Sequence, residues 1–189
     1  METPPAALVE LVNNGTIRPC KTIDLGCGAG NYAIYLATLG FEVTGVDISP
    51  AAIRIAEENA KKRNARCRFV VADLLDDLHE IEGTFDFAFD YGCSTTIFPE
   101  DRDTYIRNVY RLLNTGSLYL SVCFSENDPH HGSSGKVRKT PLGTTLYFSS
   151  EPEIRDLVSP FFAIRELKTI GIAGKHGPHA AVFVLAQRR

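Results

Sequence analysis

The sequence predicts an α/β fold in which a doubly wound, mostly parallel sheet of seven strands is covered by helices on both faces. Runs rich in Ile, Val and Phe alternate with segments of helical period along the chain, which is typical of a parallel sheet with helical connections. The length of 189 residues suits one core. We therefore expect a single domain over 1–189, with a short N-terminal cap over 1–20 and a mobile loop over 125–145.

The predicted strands are short apolar segments separated by helices or turns. In chain order they cover residues 22–25, 41–46, 68–71, 85–89, 118–124, 161–170 and 180–186. The first strand runs into a glycine-rich turn, and the helix after it ends at Gly40, a residue type typical of helix C-termini. Ser49 and Pro50 begin the next helix, because serine caps an N-terminus and proline is tolerated in the first turn. Ser149 or Ser150 is expected to cap the last helix.

Two further helices and a long loop complete the predicted order. We expect a short helix directly after Asp73 and a longer one that begins at Pro99. The segment 125–145 holds Gly, Ser, Pro, His and Lys without apolar periodicity. A loop of this length inside a compact domain is usually functional or mobile.

The composition argues against several classes of protein. Lys and Arg number 20 against 23 Asp and Glu, so a net charge of −3 gives no overall field that attracts nucleic acid. No stretch approaches the roughly 20 apolar residues that span a bilayer, and the first residues lack signal-peptide features, which predicts a cytoplasmic protein without membrane contact. The five cysteines are widely spread and form no CxxC, which argues against disulfides and a structural zinc site, and no metal is expected.

The turn after the first strand carries the strongest indication of a ligand. Gly26, Gly28 and Gly30 permit unusual backbone dihedrals and close approach of a ligand, and the following helix offers unpaired N–H groups. In a doubly wound sheet, ligands bind at the carboxyl ends of the strands beside the switch point. The dinucleotide fingerprint GxGxxG would need its third glycine at the position of Asn31, so the spacing departs from that motif.

The segment DLGCGAG, from Asp24 to Gly30, closely resembles motif I of class I S-adenosylmethionine-dependent methyltransferases. Three more segments match in order at predicted strand ends: GVDIS at 45–49, VADL at 71–74 and FDFAFD at 85–90. The resemblance covers nearly the whole chain. It implies a Rossmann-like sheet of seven strands whose last strand is antiparallel, with S-adenosylmethionine as the cofactor.

Within that family, the chain is most similar to small-molecule enzymes of the thiopurine or thiol S-methyltransferase type or of the tellurite-resistance type. This similarity rests on the segments 8–24, 89–93 and 102–113. Two features depart from it: the part before the first strand is short, and a common Lys-Pro-Gly-Gly turn is replaced by NTGS at 114–117. With a shortened N-terminal cap, either the acceptor side of the site is open or a partner subunit completes the cap. The (Asp/Asn)-Pro-Pro-(Tyr/Phe) motif is absent after the fourth strand, which argues against DNA or protein glutamine as substrate.

Several residues are candidates for the cofactor site, and each has a structural alternative. Asp47 ends the second strand where a ribose would lie, and a carboxylate can accept from both ribose hydroxyls; otherwise it caps the next helix. Asp73 could accept from the adenine amine, with the Leu74 amide donating to the ring, or Asp73 could cap a helix. Asp24 could pair with the ammonium group or brace the glycine turn, and Ile48 could cover adenine or belong to the core. The full set expected at the cofactor is Asp24, Gly26, Cys27, Gly28, Gly30, Asn31, Asp47, Ile48, Asp73, Leu74 and Asp90.

The acceptor side is less defined by the sequence. Asp90, Tyr91 and Cys93 follow the fourth strand, where the family places acceptor-facing residues, so Tyr91 and Cys93 are candidates for the substrate wall. Cys93 could equally be a small buried apolar residue. No catalytic base is evident. The histidines complete no recognisable metal-ligand set and are interpreted as surface residues, although one could act as a base if the long loop covers the pocket. They are His130, His131, His176 and His179.

Three functions from different classes follow. The first is a methyltransferase that moves a methyl group from S-adenosylmethionine to a small-molecule acceptor by in-line displacement. The second is a protein that binds the cofactor without catalysis, or a methyltransferase subunit whose partner supplies the acceptor. The third is a nicotinamide-dependent oxidoreductase, which Asn31 and a second strand-end carboxylate at Asp73 disfavour. The sequence is compatible with a homo-oligomer and does not decide the oligomeric state.

Overall fold

The computed structural model describes residues 3–129, 135–140, 143–174 and 177–189, and its central element is a seven-stranded sheet with helices on both faces. The helices are α1 (Ala6–Asn13), α2 (Asn31–Thr38), α3 (Pro50–Lys62), α4 (Arg102–Leu112) and α5 (Glu151–Val158). The strands are β1 (Lys21–Leu25), β2 (Glu42–Asp47), β3 (Cys67–Val71), β4 (Phe85–Tyr91), β5 (Leu113–Phe124), β6 (Val137–Lys139), β7 (Thr145–Tyr147), β8 (Phe162–Ile172) and β9 (His179–Arg188).

The sheet has the strand order β3-β2-β1-β4-β5-β9-β8. The five strands from β3 to β5 are parallel, whereas β9 runs antiparallel to both β5 and β8. The order reverses direction between β1 and β4, which is the switch point where such sheets bind ligands. The structure thus confirms the predicted seven-stranded, mostly parallel sheet and its antiparallel last strand.

The ends of two helices form as the sequence predicts. The Ser49 hydroxyl accepts from the backbone N–H of Ala52 at 3.2 Å, and Pro50 occupies the first turn of α3. Ser150 begins α5 with a capping box, because its hydroxyl accepts from the Glu153 N–H while the Glu153 carboxylate accepts from the Ser150 N–H. Of the two serines considered for this cap, Ser150 is the one that serves.

The prediction of a short helix directly after Asp73 is wrong. Residues 72–81 form turns, and the Asp73 carboxylate accepts from the backbone N–H of Leu75 at 2.9 Å. This local bond satisfies the backbone in a turn and competes with helix formation. The helix predicted from Pro99 begins instead at Arg102, and β5 follows α4 directly at Leu113.

The segment 125–145 contains regular structure that the sequence did not predict. Strand β6 pairs with β7 in an antiparallel hairpin. Arg138 on β6 anchors it by donating to the carbonyls of Glu126 and Asp128, both at 2.6 Å, and its guanidinium lies 4.2 Å from the ring centre of Phe148. Residues 130–134 and 141–142 of the predicted loop lie outside the described residues.

The core lies on both faces of the sheet. On one face α1 and α2 pack against β4 through Phe87 and Phe89, and on the other face α4 and α5 pack against residues such as Ala88. This double coverage explains why the central strands are continuously apolar. Within the described part of the chain, no helix has both the length and the apolar content needed to cross a bilayer.

Candidate active site

The carboxyl ends of four parallel strands meet at one edge of the sheet. Leu25 at the end of β1 is level with Val46 of β2 and with Asp90 of β4, and Asp47 is level with Val71 of β3. The glycine turn after β1 and the residues that follow the other three strands therefore lie together. This is the edge that the sequence predicts for ligand binding.

The glycine turn is folded back against β2. Gly26, Gly28 and Gly30 have φ angles of +68°, +53° and +74°, in the left-handed region that favours glycine. The Cys27 N–H donates to the carbonyl of Val46 at 2.8 Å, which ties the turn to the neighbouring strand. A Cβ at Gly26 would lie 2.7 Å from the Cys93 Cβ, whereas no described atom lies within 4 Å of a Cβ built at Gly28. Gly28 thus faces open space at the edge of the sheet.

Gly30 and Gly28 differ in what surrounds them, which gives a prediction about stability. A Cβ at Gly30 would approach the Ala56 Cβ and the Phe69 ring to 2.9 Å, so α2 packs closely on α3 and β3 at this point. We expect Gly28→Ala to cost about 1–2 kcal/mol from backbone strain alone. Gly30→Ala should cost about 1–3 kcal/mol more from overpacking. Denaturant unfolding of the two variants measures the difference, and equal losses would contradict the close packing at Gly30.

Asp47 connects the glycine turn to the end of β2. One carboxylate oxygen, Oδ2, accepts from the Gly28 N–H at 2.8 Å, and Oδ1 accepts from the Ser49 N–H at 2.9 Å. The side chain of Ser49 caps α3, so the alternative in which Asp47 provides that cap does not hold. The half-buried Asp47 carboxylate keeps further lone pairs, because each ionised oxygen can accept more than one hydrogen bond.

Asp24 is a buried carboxyl group whose hydrogen bonding is incomplete. Its exposed fraction is 2%, and among the described residues its Oδ2 atom has no hydrogen-bond partner. Burial raises its pKa to about 7, against the opposing effect of the Ala33 N–H, and the neighbouring Asp90 and Asp47 raise the pKa further. An unsatisfied buried oxygen costs free energy, so the site is suited to a cationic donor that would complete it.

The residues after β2 and β3 present one apolar side chain and several polar groups. Ile48 is 65% exposed, which contradicts the alternative that it belongs to the core. Asp73 is half-buried in its turn, while the Leu74 side chain is buried and its carbonyl accepts from Asn108 Nδ2 at 2.9 Å. Asn31 is the first residue of α2, at the end of the glycine turn.

The Asp90 carboxylate lies at this edge of the sheet but is enclosed by the protein. The residue is fully buried, and its oxygens accept from the Ser94 N–H at 3.2 Å, the Tyr105 hydroxyl at 2.9 Å and the Ser121 hydroxyl at 3.1 Å. Burial raises its pKa, and these hydrogen bonds lower it in part. Its side chain points between β4, β5 and α4, where four donors including Tyr119 surround it. We therefore correct its expected role: the carboxylate organises the end of β4.

Tyr91 and Cys93 do lie at the site, half-buried at the end of β4. The Tyr91 ring meets the Tyr32 ring edge to face, with centroids 5.4 Å apart. Cys93 lies beside Gly26, and burial raises the pKa of its thiol well above the usual range, so the thiolate is disfavoured. Burial likewise raises the pKa of Cys27. Neither cysteine has the environment of an activated nucleophile.

One polar pair at the same edge was missed by the sequence reasoning. His179, interpreted as a surface residue, has a side chain only 13% exposed, and its Nδ1 atom lies 3.0 Å from Asp128 Oδ2. The two residues are 51 positions apart, so no local spacing could have indicated the pair. His130, His131 and His176 lie outside the described residues.

The size of a cavity does not identify the site. A cavity of about 620 Å³ lies at the opposite edge of the sheet, where β1, β2 and β3 begin, and residues such as Lys21, Glu42 and Arg68 line it. Its walls carry charges of both signs. The incomplete bonding of Asp24, the open side of Gly28 and the exposed Ile48 place the candidate site at the carboxyl edge instead.

Comparison with known proteins finds similarity to methyltransferases. Residues 23–116 match a family model described as a methyltransferase domain. An uncharacterised methyltransferase of Schizosaccharomyces pombe is 32% identical over 108 residues, which cover 57% of this chain and 74% of the relative. A 2-heptyl-1-hydroxyquinolin-4(1H)-one methyltransferase of Mycobacteroides abscessus is 26% identical over 165 residues, which cover 87% of this chain and 67% of the relative.

A third relative has a solved structure. TehB of Haemophilus influenzae, described as a probable S-adenosylmethionine-dependent methyltransferase, is 31% identical over 116 residues, which cover 59% of this chain and 38% of that protein. Its crystal structure superimposes with a TM-score of 0.74 and 23% identity, covering 97% of this chain and 62% of the other. The superposition covers nearly the whole chain, and the family model separately matches the glycine turn, since that match begins within β1.

Proposed function

Because the chain belongs to the S-adenosylmethionine-dependent methyltransferase family, we propose that it transfers the methyl group of this cofactor to a small-molecule acceptor by in-line displacement. Membership in this family removes the nicotinamide-dependent oxidoreductase from consideration. The observation that carries the proposal is the incomplete bonding of Asp24 beside an open glycine turn. The acceptor class and the role of each residue are the proposed part.

The residues at the carboxyl edge fit the chemical groups of the cofactor. Asp24 Oδ2, which has no partner within the described chain, suits the ammonium group of the methionine end. Asp47 offers lone pairs to the two ribose hydroxyls while it holds the Gly28 N–H. Ile48 is exposed to cover one face of adenine, and Asp73 follows β3 where the exocyclic amine would lie. When bound, the cofactor supplies a methyl group activated by a sulfonium.

The protein contributes mainly by positioning. Methyl transfer from a sulfonium releases a neutral thioether, which needs no protonation, so the rate depends on holding the acceptor close and in line. Tyr91 and Tyr32 provide an aromatic surface at the end of β4, beside the glycine turn. A flat aromatic acceptor can pack against such rings and exclude water from the reacting atoms.

We propose planar aromatic or heteroaromatic compounds with an ionisable hydroxyl, thiol or N–H group as the acceptor class. The aromatic surface supports this class, and so does the hydroxyquinolone methyltransferase, which is similar over 87% of this chain. The net charge of −3 gives no general attraction for a nucleic-acid acceptor. The other function we retain is a cofactor-binding subunit that needs a partner for its acceptor.

Cofactor binding and turnover test the proposal in two steps. S-adenosylmethionine at about 100 times its dissociation constant should stabilise the native state by about 2.7 kcal/mol and raise Tm by about 5–10 °C. A panel of thiols, phenols and hydroxyquinolones, followed by release of S-adenosylhomocysteine, then tests transfer. Product with any aromatic acceptor supports the proposed function. Tight cofactor binding without product from the entire panel favours the partner-dependent subunit.

A further inference from the structure

We propose that Asn108, on helix α4, is a positioning residue that gives the cofactor site its preference for adenine. The inference rests on the proposed function, in which Asp73 and the Leu74 N–H recognise the base. It extends that recognition to a third residue, which acts through the turn that carries the other two. The sequence did not indicate Asn108, because the carbonyls that it binds are 34 and 32 positions away.

The Asn108 side chain is a double donor in the core. The residue is 6% exposed, and its Nδ2 atom donates to the carbonyl of Leu74 at 2.9 Å and to the carbonyl of Asp76 at 3.1 Å. Carbonyls only accept and an amide nitrogen carries two hydrogens, so both hydrogens are used. Within the described chain, neither carbonyl has another donor. One side chain of α4 therefore satisfies two backbone groups of the turn after β3.

A single peptide unit connects Asn108 to the Asp73 carboxylate. Its carbonyl, which belongs to Leu74, accepts from Asn108. Its N–H, which belongs to Leu75, donates to Asp73 Oδ1 at 2.9 Å. Because a peptide unit is planar, a rotation that moves its carbonyl also moves its N–H. The direction of the Asp73 carboxylate therefore depends on the hydrogen bond that Asn108 donates.

The turn keeps two polar groups available to a ligand. Asp73 Oδ2 has no partner among the described residues and is not a buried atom. The Leu74 N–H takes part in no hydrogen bond of the described chain. An oxygen that accepts beside an N–H that donates matches the amine of adenine and its adjacent ring nitrogen. Ile48 and Val71 are exposed apolar side chains at the same edge, and they can cover a flat base.

Helix α4 has anchors other than Asn108. The Tyr105 hydroxyl donates to Asp90 at 2.9 Å, and the Val109 side chain is buried in the core. These contacts remain when Asn108 is changed, so loss of its amide leaves the helix in place and releases the turn. A supporting group on a rigid element can hold its partner in a precise position.

A purely structural role and a positioning role predict different results. In both cases the loss of the amide leaves two buried carbonyls without a donor, which lowers the stability of the protein. A structural role predicts that any change in ligand affinity is the same for all bases. A positioning role predicts that the loss of affinity depends on the groups of the base that Asp73 and Leu74 contact.

Asn108→Leu, which removes the donor and keeps a side chain of similar size, is tested with two ligands that differ only in the base. S-inosylhomocysteine differs from S-adenosylhomocysteine by an oxygen in place of the amine and a hydrogen on the adjacent ring nitrogen. The wild type should prefer the adenosyl ligand at least about 100-fold, because inosine sets an oxygen against Asp73 and an N–H against the Leu74 N–H. In the variant, competition binding should show the adenosyl ligand about 10-fold weaker and the inosyl ligand within about twofold of wild type.

Val109→Ala is the matched control. Val109 is the next residue on α4 and is 1% exposed, so this variant loses core packing and lowers Tm without changing a bond to the turn. Its preference for the adenosyl ligand should equal that of the wild type. Asn108→Ala provides the same test if leucine prevents folding. Equal weakening of both ligands in the Asn108 variants, or no weakening of the adenosyl ligand, would overturn the assignment. A wild type that binds neither ligand would instead contradict the proposed function.

Backbone N–H signals test the two links of the argument separately. In NMR spectra of the wild type, the Leu74 N–H signal should move downfield with S-adenosylhomocysteine and not with S-inosylhomocysteine. Hydrogen exchange of the Leu75 N–H, which is bonded to Asp73, should be at least about 10-fold faster in Asn108→Ala than in the wild type. An equal shift of the Leu74 signal with both ligands, or unchanged exchange at Leu75, would refute the positioning role.

Discussion

Asp47→Ala is expected to weaken S-adenosylmethionine binding by about 1.5–3 kcal/mol, or roughly 10- to 150-fold, because charge-assisted hydrogen bonds to the ribose hydroxyls are lost. The carboxylate also accepts from the Gly28 N–H, so the open face of the glycine turn loses its support in the same variant. The sheet should remain intact, since Asp47 is half-buried at the end of β2 and its carboxylate bonds to the glycine turn and to the start of α3.

Calorimetric titration of the folded variant measures this loss. Glu42→Ala is the matched control, because Glu42 is an exposed acid at the other end of the same strand and should not change the dissociation constant. An affinity equal to that of the wild type would remove Asp47 from the cofactor site. A loss of similar size in Glu42→Ala would mean that general charge, and not a ribose contact, sets the affinity.

Asp24→Asn should have opposite effects on stability and on cofactor binding. In the folded protein the pKa of Asp24 is raised to about 7, so the native state holds this proton more tightly than the unfolded chain does. The stability from this group is therefore fully present below about pH 4, the usual aspartate value, and is lost as the pH rises to about 7. At pH 8 the neutral variant avoids this loss, which is on the order of 4 kcal/mol.

The same substitution removes the charge proposed to pair with the cofactor ammonium. We expect at least a tenfold loss of S-adenosylmethionine affinity at pH 8. In the wild type the affinity should rise between pH 6 and 7, as Asp24 ionises, and then level off, whereas the affinity of the variant should change little over that range.

Thermal unfolding without the cofactor and calorimetry with it, each at pH 6 and pH 8, test both effects. Asp156→Asn is a suitable control, since Asp156 is an exposed acid on α5. A variant that is less stable than the wild type at pH 8, or that binds the cofactor equally well, would contradict the proposed role of Asp24.

The sequence predicts the sheet and the glycine turn well, because these depend on local patterns. Strands that are buried on both faces can be recognised as continuous apolar runs. The helix caps at Ser49 and Ser150 can likewise be recognised from the residue type. The short helix expected after Asp73 did not form, because an aspartate side chain can satisfy either a helix N-terminus or an isolated turn, and the sequence alone does not decide between them.

The direction of a side chain at a strand end is harder to predict. Asp90 follows a run of buried residues, so periodicity does not say whether its carboxylate faces the ligand or the core, and the hydroxyls that bind it come from α4 and β5. The pairing of Asp128 with His179 depends on the antiparallel placement of β9, which joins residues distant in the chain. Contacts of this kind are set by tertiary structure.

The antiparallel strand β9 also has an evolutionary implication. The half of the chain that matches the family model carries the glycine turn and the carboxylates proposed for the cofactor, while β9 delivers His179 from the last fifteen residues. The residues proposed to recognise the cofactor are thus confined to this half, whereas the strands β8 and β9 lie outside it and can diverge separately. A chimera that takes its C-terminal third from a relative should therefore keep the cofactor affinity of the parent that supplies the N-terminal part.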